Sequence, residues 1–276
     1  GGYVFADLRR GAYPFPIPGL PARYHFASEV PFVPALILAL ITAAGMSLIV
    51  FMLVFRPLAK APALANIVAS IGLIIVFISL IDNRFSDNAG LRVAPILPRE
   101  SFTLAADITV LRDGLWLAAI VLAIAFGVWA ASRFTRIGLV TQAAAENEKG
   151  AVLLGYSPLF LAGSSFVLAS VIGALAVILA SPMIQLSSTV FTFGFLIPAL
   201  GAALIGKFRW IWPTVFTGFA IGLVQSTFTK VQGDLSWFPQ YGAREGLPFI
   251  VIIVAMVFLG ERLPDRGTVD TWRLPA

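Results

Sequence analysis

The chain contains no cysteine and a single histidine, His25. Disulfides and thiol nucleophiles are therefore excluded, and Cys/His metal sites nearly so. A lone histidine is far more often a loop residue than a ligand, and no metal or cofactor is assigned to it. Charge is also scarce. Only 12% of the 276 residues are Asp, Glu, Lys or Arg, about half the roughly 25% of a soluble domain. That density cannot cover a water-facing surface. With 59% of its residues hydrophobic, the chain falls in the membrane class. No phosphate-cradling GxxxxGK[ST] loop occurs, so no nucleotide site of that kind is expected here. The sequence opens on Gly1-Gly2 and closes on Pro275-Ala276 in a polar stretch. It is expected to be a piece of a longer protein.

What the chain does have is long apolar runs. A bilayer core of about 30 Å takes about 20 apolar residues per helix. Seven runs meet or approach that length: Phe32 to Phe55, Pro62 to Ile81, Gly114 to Ser132, Leu159 to Ser181, Val190 to Gly206, Pro213 to Thr229 and Leu247 to Gly260. The first follows a Pro-rich segment and stops at Arg56-Pro57. Pro62 opens the second, in a first-turn position where its missing N–H costs nothing. The last three are short or interrupted, the fifth by Pro198, so kinked or re-entrant geometry is expected there. The expected fold is an all-α polytopic membrane bundle. Residues 1–31 would form an extracytoplasmic Pro-rich segment, 32–260 the transmembrane domain, and 261–276 a cytoplasmic tail or linker.

Charge sets the orientation. Placing 56–61, 133–158, 207–212 and the tail after Gly260 on one side gives that side ten Lys and Arg against five acids. The other side carries nine against nine. The net +5 thus sits wholly on one face, which is expected to be cytoplasmic. The basic balance is topology charge and needs no nucleic-acid partner. Trp116, Trp129, Trp210, Trp212 and Trp237 fall near span ends, as interfacial aromatic belts do.

No Asp, Glu, Lys, Arg or His lies inside any of the seven spans as drawn. Proton- and ion-driven carriers keep such groups at depth. Their absence argues against an ion-coupled carrier, a voltage sensor and an intramembrane hydrolase, so any energy for transport must enter from outside the bilayer. The polar content of the spans is mild. Asn66, Ser70 and Gln225 are the candidates for a translocation path, because an amide in lipid is costly unless it faces protein or water. Small residues, including Gly72, Gly163, Gly173, Gly201 and the Gly218/Gly222 pair, are accounted for by close helix packing.

Residues 133–158, RFTRIGLVTQAAAENEKGAVLLGYSP, form a charged segment wedged between the third and fourth runs. The spacing predicts one helix from Ala143 to Leu154, stopped by Gly155, with a new helix starting at Ser157-Pro158. Glu146 and Gly150, four apart, would share a face. A helix of this kind can dock into a groove on a second protein or lie on lipid. Composition leaves the two about even.

Several blocks carry a resemblance. Arg136-Ile137-Gly138-Leu139, Gln142 to Glu148 and Ala151 to Gly155 resemble the cytoplasmic coupling loop of branched-chain amino acid ABC transporter permeases. Arg56-Pro57-Leu58 with Ala69 to Leu73, Pro198-Ala199-Leu200 with Ala203 to Phe208, and Gly242 to Phe249 look like three further blocks of that family. Together they run from about residue 32 to 267.

The resemblance implies a permease subunit of an ATP-driven importer in a bacterial inner membrane, with no catalytic residues of its own. The solute would be a branched-chain amino acid or a related small polar molecule such as urea or an amide. Implied partners are two cytoplasmic ATPase subunits, a second permease subunit or half, and an extracytoplasmic solute-binding protein. Carried over by position, Ala143, Ala144, Ala145, Glu146, Asn147, Glu148, Gly150, Leu154 and Gly155 would contact the ATPase. The family's first helices have no match here and are expected to precede Gly1. Leu263 to Gly267, leading to Leu274-Pro275, resembles the joint of fused permeases. An ion-coupled secondary transporter and a non-transport membrane scaffold are the alternatives from other classes.

Overall fold

The computed structural model describes residues 1–14, 23–25, 30–59, 61–85, 101–103, 109–183, 187–234 and 243–259. The 261–276 tail expected from sequence lies outside the described residues, as do Trp237 and most of the Pro-rich segment. Helices dominate. Apolar runs this long can satisfy their backbone groups in lipid only by bonding within the segment. Five helices are long and apolar enough to cross a membrane: Phe32–Leu58, Leu64–Asn83, Asp113–Phe134, Pro158–Ala180 and Ile211–Phe228. The fifth and seventh runs give shorter apolar helices, Gly194–Ile205 and Gly246–Val257. The chain divides into two compact units, Gly1–Ser188 and Thr189–Ala276.

In the first unit, a short helix α1 (Gly2–Leu8) leads through a two-stranded ribbon, β1 (Ala12–Pro14) and β2 (Arg23–His25), to α2 (Phe32–Val50). The ribbon places His25 opposite Ala12. The α2 helix continues through a π-helical turn, Phe51–Phe55, into α3 (Arg56–Leu58). The widened turn has a cause in Pro57. Its ring lacks an N–H and crowds the carbonyl four residues back, at Leu53.

Helix α4 (Ala63–Phe85) follows, then a second ribbon of β3 (Ser101–Thr103) and β4 (Thr109–Leu111). The unit continues with α5 (Arg112–Phe134), α6 (Arg136–Glu146), α7 (Glu148–Leu153) and α8 (Pro158–Ala180).

The core of this unit is the pairing of α2 with α8. Ala35, Ala39, Ala43 and Ser47 recur every four residues on α2, and all are buried. On a helix that spacing makes one stripe. Small side chains along it let the two backbones approach. Ser170 Oγ donates to the Ala43 carbonyl across the interface at 3.2 Å. At the far end Phe166 sits between Phe51 and Phe55, with centroids 6.0 and 5.2 Å away.

Helix α1 packs against both α2 and α8. Its Phe5 and Leu8 are fully buried, and Phe5 meets Phe32 edge-on at 5.7 Å. Periodicity gave no sign of this helix, because seven residues are too few to show a helical repeat. The seven runs as drawn hold no ionisable group, but among the described residues the structure buries two carboxyl groups beside them, Asp7 of α1 at 2% exposure and Asp113 of α5 at 8%. Helix α4 is the opposite case, with no residue of its apolar window buried within the chain.

The second unit holds α9 (Ser188–Phe191), which begins one residue before the unit boundary. A π-helical turn at Thr192–Leu196 follows, then α10 (Ile197–Ile205), α11 (Ile211–Asp234) and α12 (Ala243–Leu259). Helix α10 packs on α11 and α12, which also touch each other. The π turn again precedes a proline. Pro198 crowds the Gly194 carbonyl as Pro57 crowds that of Leu53. Pro248 lies inside α12, fully buried.

Candidate functional site

The segment joining α5 to α8 is built from caps. Thr135 leaves the helical region, with φ −90° and ψ 147°, and its Oγ1 accepts from the Gly138 N–H at 3.1 Å. This starts α6 on a new axis. Gln142 Nε2 donates to the Ser132 carbonyl at 3.3 Å, across ten residues of sequence. Helix α6 therefore doubles back along the end of α5. Gly138 makes that approach feasible, because a Cβ there would collide with the Ala131 carbonyl oxygen and with Ser132 Cα.

The single helix expected from Ala143 to Leu154 is instead two helices. Asn147 stands between α6 and α7 in an extended conformation, with φ −145° and ψ 94°. Its Oδ1 accepts from the Gly150 N–H at 2.9 Å, which caps α7. The side chain competes with the helical path for backbone donors, and asparagine is among the strongest N-caps. Glu146 and Gly150 therefore belong to different helices and share no face.

The stop at Gly155 is where the sequence places it. Gly155 has φ +83°. Its N–H donates to the Val152 carbonyl at 2.9 Å and the Tyr156 N–H to that of Ala151 at 3.0 Å. This pair of bonds is the Schellman closure, which glycine admits without strain. Ser157 Oγ then accepts from the Phe160 N–H at 3.4 Å, and Pro158 opens α8.

Helix α6 packs on α5 and α8, and α7 on α6 and α8. The elbow is thus fixed to both long helices that flank it. Ala143, Ala145, Glu146, Asn147, Glu148, Leu154 and Gly155 are exposed, whereas Ala144 and Gly150 are half-buried. Only Ala151 of α7 is buried. Sequence reasoning missed Leu153, which is 88% exposed. With Val152 and Leu154, both also exposed, it forms an apolar tip next to the charged Glu146, Glu148 and Lys149. The signal was present: a run of Ala-Val-Leu-Leu cannot bury every side chain on a helix of six residues.

The path candidates fall in two units. Asn66 and Ser70 lie one turn apart on α4 in the first unit, and Gln225 lies on α11 in the second. Asn66 and Gln225 are half-buried and Ser70 is exposed. Ser70 Oγ donates to the Asn66 carbonyl at 2.8 Å. The hydroxyl is satisfied by its own helix and needs no water-filled path.

No curated protein and no solved structure matches the chain. The sequence model of one family does match, over residues 2–259, which takes in the whole elbow and all the long apolar helices. That family is described as the permease component of branched-chain amino acid transport systems. Its members are transport subunits, not catalytic ones. With its span-length apolar helices and this match over nearly its full length, the chain belongs to the branched-chain amino acid transport permease family and is a multi-pass membrane protein.

Proposed function

We propose that this chain is the permease subunit of an ATP-driven importer of branched-chain amino acids or a related small polar solute, and that force reaches it through the α6–α7 elbow. Two separate cytoplasmic ATPase subunits would hydrolyse the nucleotide. A second permease subunit or half would complete the path, and an extracytoplasmic binding protein would deliver the solute. The membrane would be a bacterial inner membrane.

The observation that carries this reading is the elbow's double attachment. A push on α7 is passed to both α5 and α8, because α6 and α7 pack on them. Ser170 then ties α8 to α2. Packed helices respond to such a push by rigid-body switching between discrete arrangements, which is how access would alternate. The exposed apolar tip and its neighbouring charges supply what a partner groove reads: apolar anchors beside a polar rim.

Uptake of labelled leucine tests the proposal. Glu146→Lys reverses an exposed charge outside the long apolar helices, so membrane insertion should stay normal. Loss of one partner of an interfacial charge pair costs about 2–5 kcal/mol, so uptake should fall by at least roughly tenfold. Normal uptake in the variant would count against the elbow as the point of force entry.

One observation favours a second reading, an ion-coupled carrier. Asp7 is a buried carboxylate against the α2–α8 pair, the kind of group a proton-coupled path employs. Uptake that survives ATP depletion, collapses with an uncoupler and is abolished by Asp7→Asn would favour that carrier over the importer.

A further inference from the structure

We propose that the turn joining α10 to α11 is a seat for the headgroup of an anionic phospholipid. The turn is closed tightly. The Phe208 N–H donates to the Ala203 carbonyl at 2.9 Å and the Lys207 N–H to that of Leu204 at 2.9 Å. The Arg209 and Trp210 N–H groups both donate to the Gly206 carbonyl, at 3.1 and 3.0 Å. This is the same closure that ends α7, but here no glycine takes the left-handed position. Lys207 has φ +54° and Phe208 φ +53°, the only non-glycine residues at positive φ among the described residues.

Such strain persists only where the surroundings over-determine it. Gly206 provides that constraint, because a Cβ there would collide with Thr214 Oγ1 and with the Trp210 carbonyl oxygen. The consequence is the display of side chains. Phe208 is 67% exposed and Trp210 61%. Arg209 between them is exposed too, and Lys207 is half-buried.

Depth identifies the occupant. Helix α10 ends at Ile205 and α11 begins at Ile211, so apolar helices bracket a turn too short and too curled to project beyond a headgroup layer. A soluble partner would need a longer element, such as residues 135–157 provide between α5 and α8. Two aromatic side chains and two cations within four residues suit an interface where rings lie at the glycerol level and cations meet phosphates. The cytoplasmic leaflet carries the anionic lipids that such cations attract. The choice of leaflet, though not the seat itself, rests on the sidedness assumed for the elbow under the proposed function, since the charge count places both on the same face.

The test uses the full-length protein in nanodiscs of phosphatidylcholine with phosphatidylglycerol. Native mass spectrometry reads the lipid retained on release. Wild type should keep phosphatidylglycerol in preference to phosphatidylcholine. The Lys207→Gln/Arg209→Gln double variant should lose about ten- to thirtyfold of that preference, each cation near an anionic surface being worth close to a factor of five. The charge-keeping Lys207→Arg/Arg209→Lys variant should retain it, which separates charge from a folding defect. Equal preference in wild type and the Gln variant would overturn the proposal. So would loss of a co-purifying ATPase from the Gln variant with lipid preference unchanged, which would assign the turn to a protein partner. Sidedness is read separately. If a cysteine at position 208 is labelled from outside intact cells while lipid preference still falls in the Gln variant, the lipid seat stands and the proposed function fails.

Discussion

Asn147 turns one amphipathic helix into an elbow. Without its side chain, the first turn of α7 would lose its cap and fray, although Glu146, Glu148 and Ala151 are all adequate helix formers. With it, the Gly150 N–H is held at 2.9 Å and the axis breaks. Replacing an N-cap asparagine by alanine costs about 1 kcal/mol, within a range of roughly 0.5–2. Asn147→Ala should therefore speed amide hydrogen exchange across Glu148–Leu153 by roughly fivefold, and Asn147→Asp should restore protection. Unchanged exchange in the alanine variant would show that packing on α8, not the cap, sets the elbow. The break was legible in principle, because asparagine is a poor residue for a helix interior and a good one for a cap. The alanine run before it weighed more heavily in the periodicity, and the hydrogen bond that decides the matter is local and has no periodic signature.

At the scale of elements, small residues decide which helices pair. Ala39 has no exposure, and Ile41, two residues on, is 61% exposed. Hydrophobicity therefore does not separate the buried face of α2 from its outer face. In lipid both faces are apolar, and volume makes the difference. Ala39→Leu should overpack the α2–α8 interface and cost about 1–3 kcal/mol, read as a lower Tm in detergent. Ile41→Ala should leave Tm nearly unchanged, and an equal fall in both variants would contradict the pairing. The same rule explains what sequence could and could not give. The long spans Phe32–Leu58, Leu64–Asn83, Asp113–Phe134 and Pro158–Ala180 fall where the apolar runs predicted them. Pro198 and Pro248 account for the interrupted character of the fifth and seventh runs. Helix α1 stayed hidden, because a seven-residue segment with one carboxylate reads as loop until its neighbours bury it.

At the scale of the whole molecule, the proposed handle is the α6–α7 elbow, which packs on two long helices, α5 and α8. That handle was legible because charge is rare in this chain, so 133–158 stands out between two apolar runs. Its outline survives in the structure, including the stop at Gly155 and the restart at Ser157-Pro158. Its internal form did not, for the reason Asn147 supplies. Asn66, Ser70 and Gln225 all carry the cost of a polar group in lipid, and the Ser70 hydroxyl meets part of it by bonding to its own helix.

The absence of cysteine makes the central claim directly measurable, since any thiol introduced is the only one in the chain. With Asn147→Cys in the full-length protein, a membrane-impermeant maleimide should label inside-out vesicles and leave intact cells unlabelled. Labelling from outside intact cells would place the elbow on the wrong face for any cytoplasmic motor and would contradict the account.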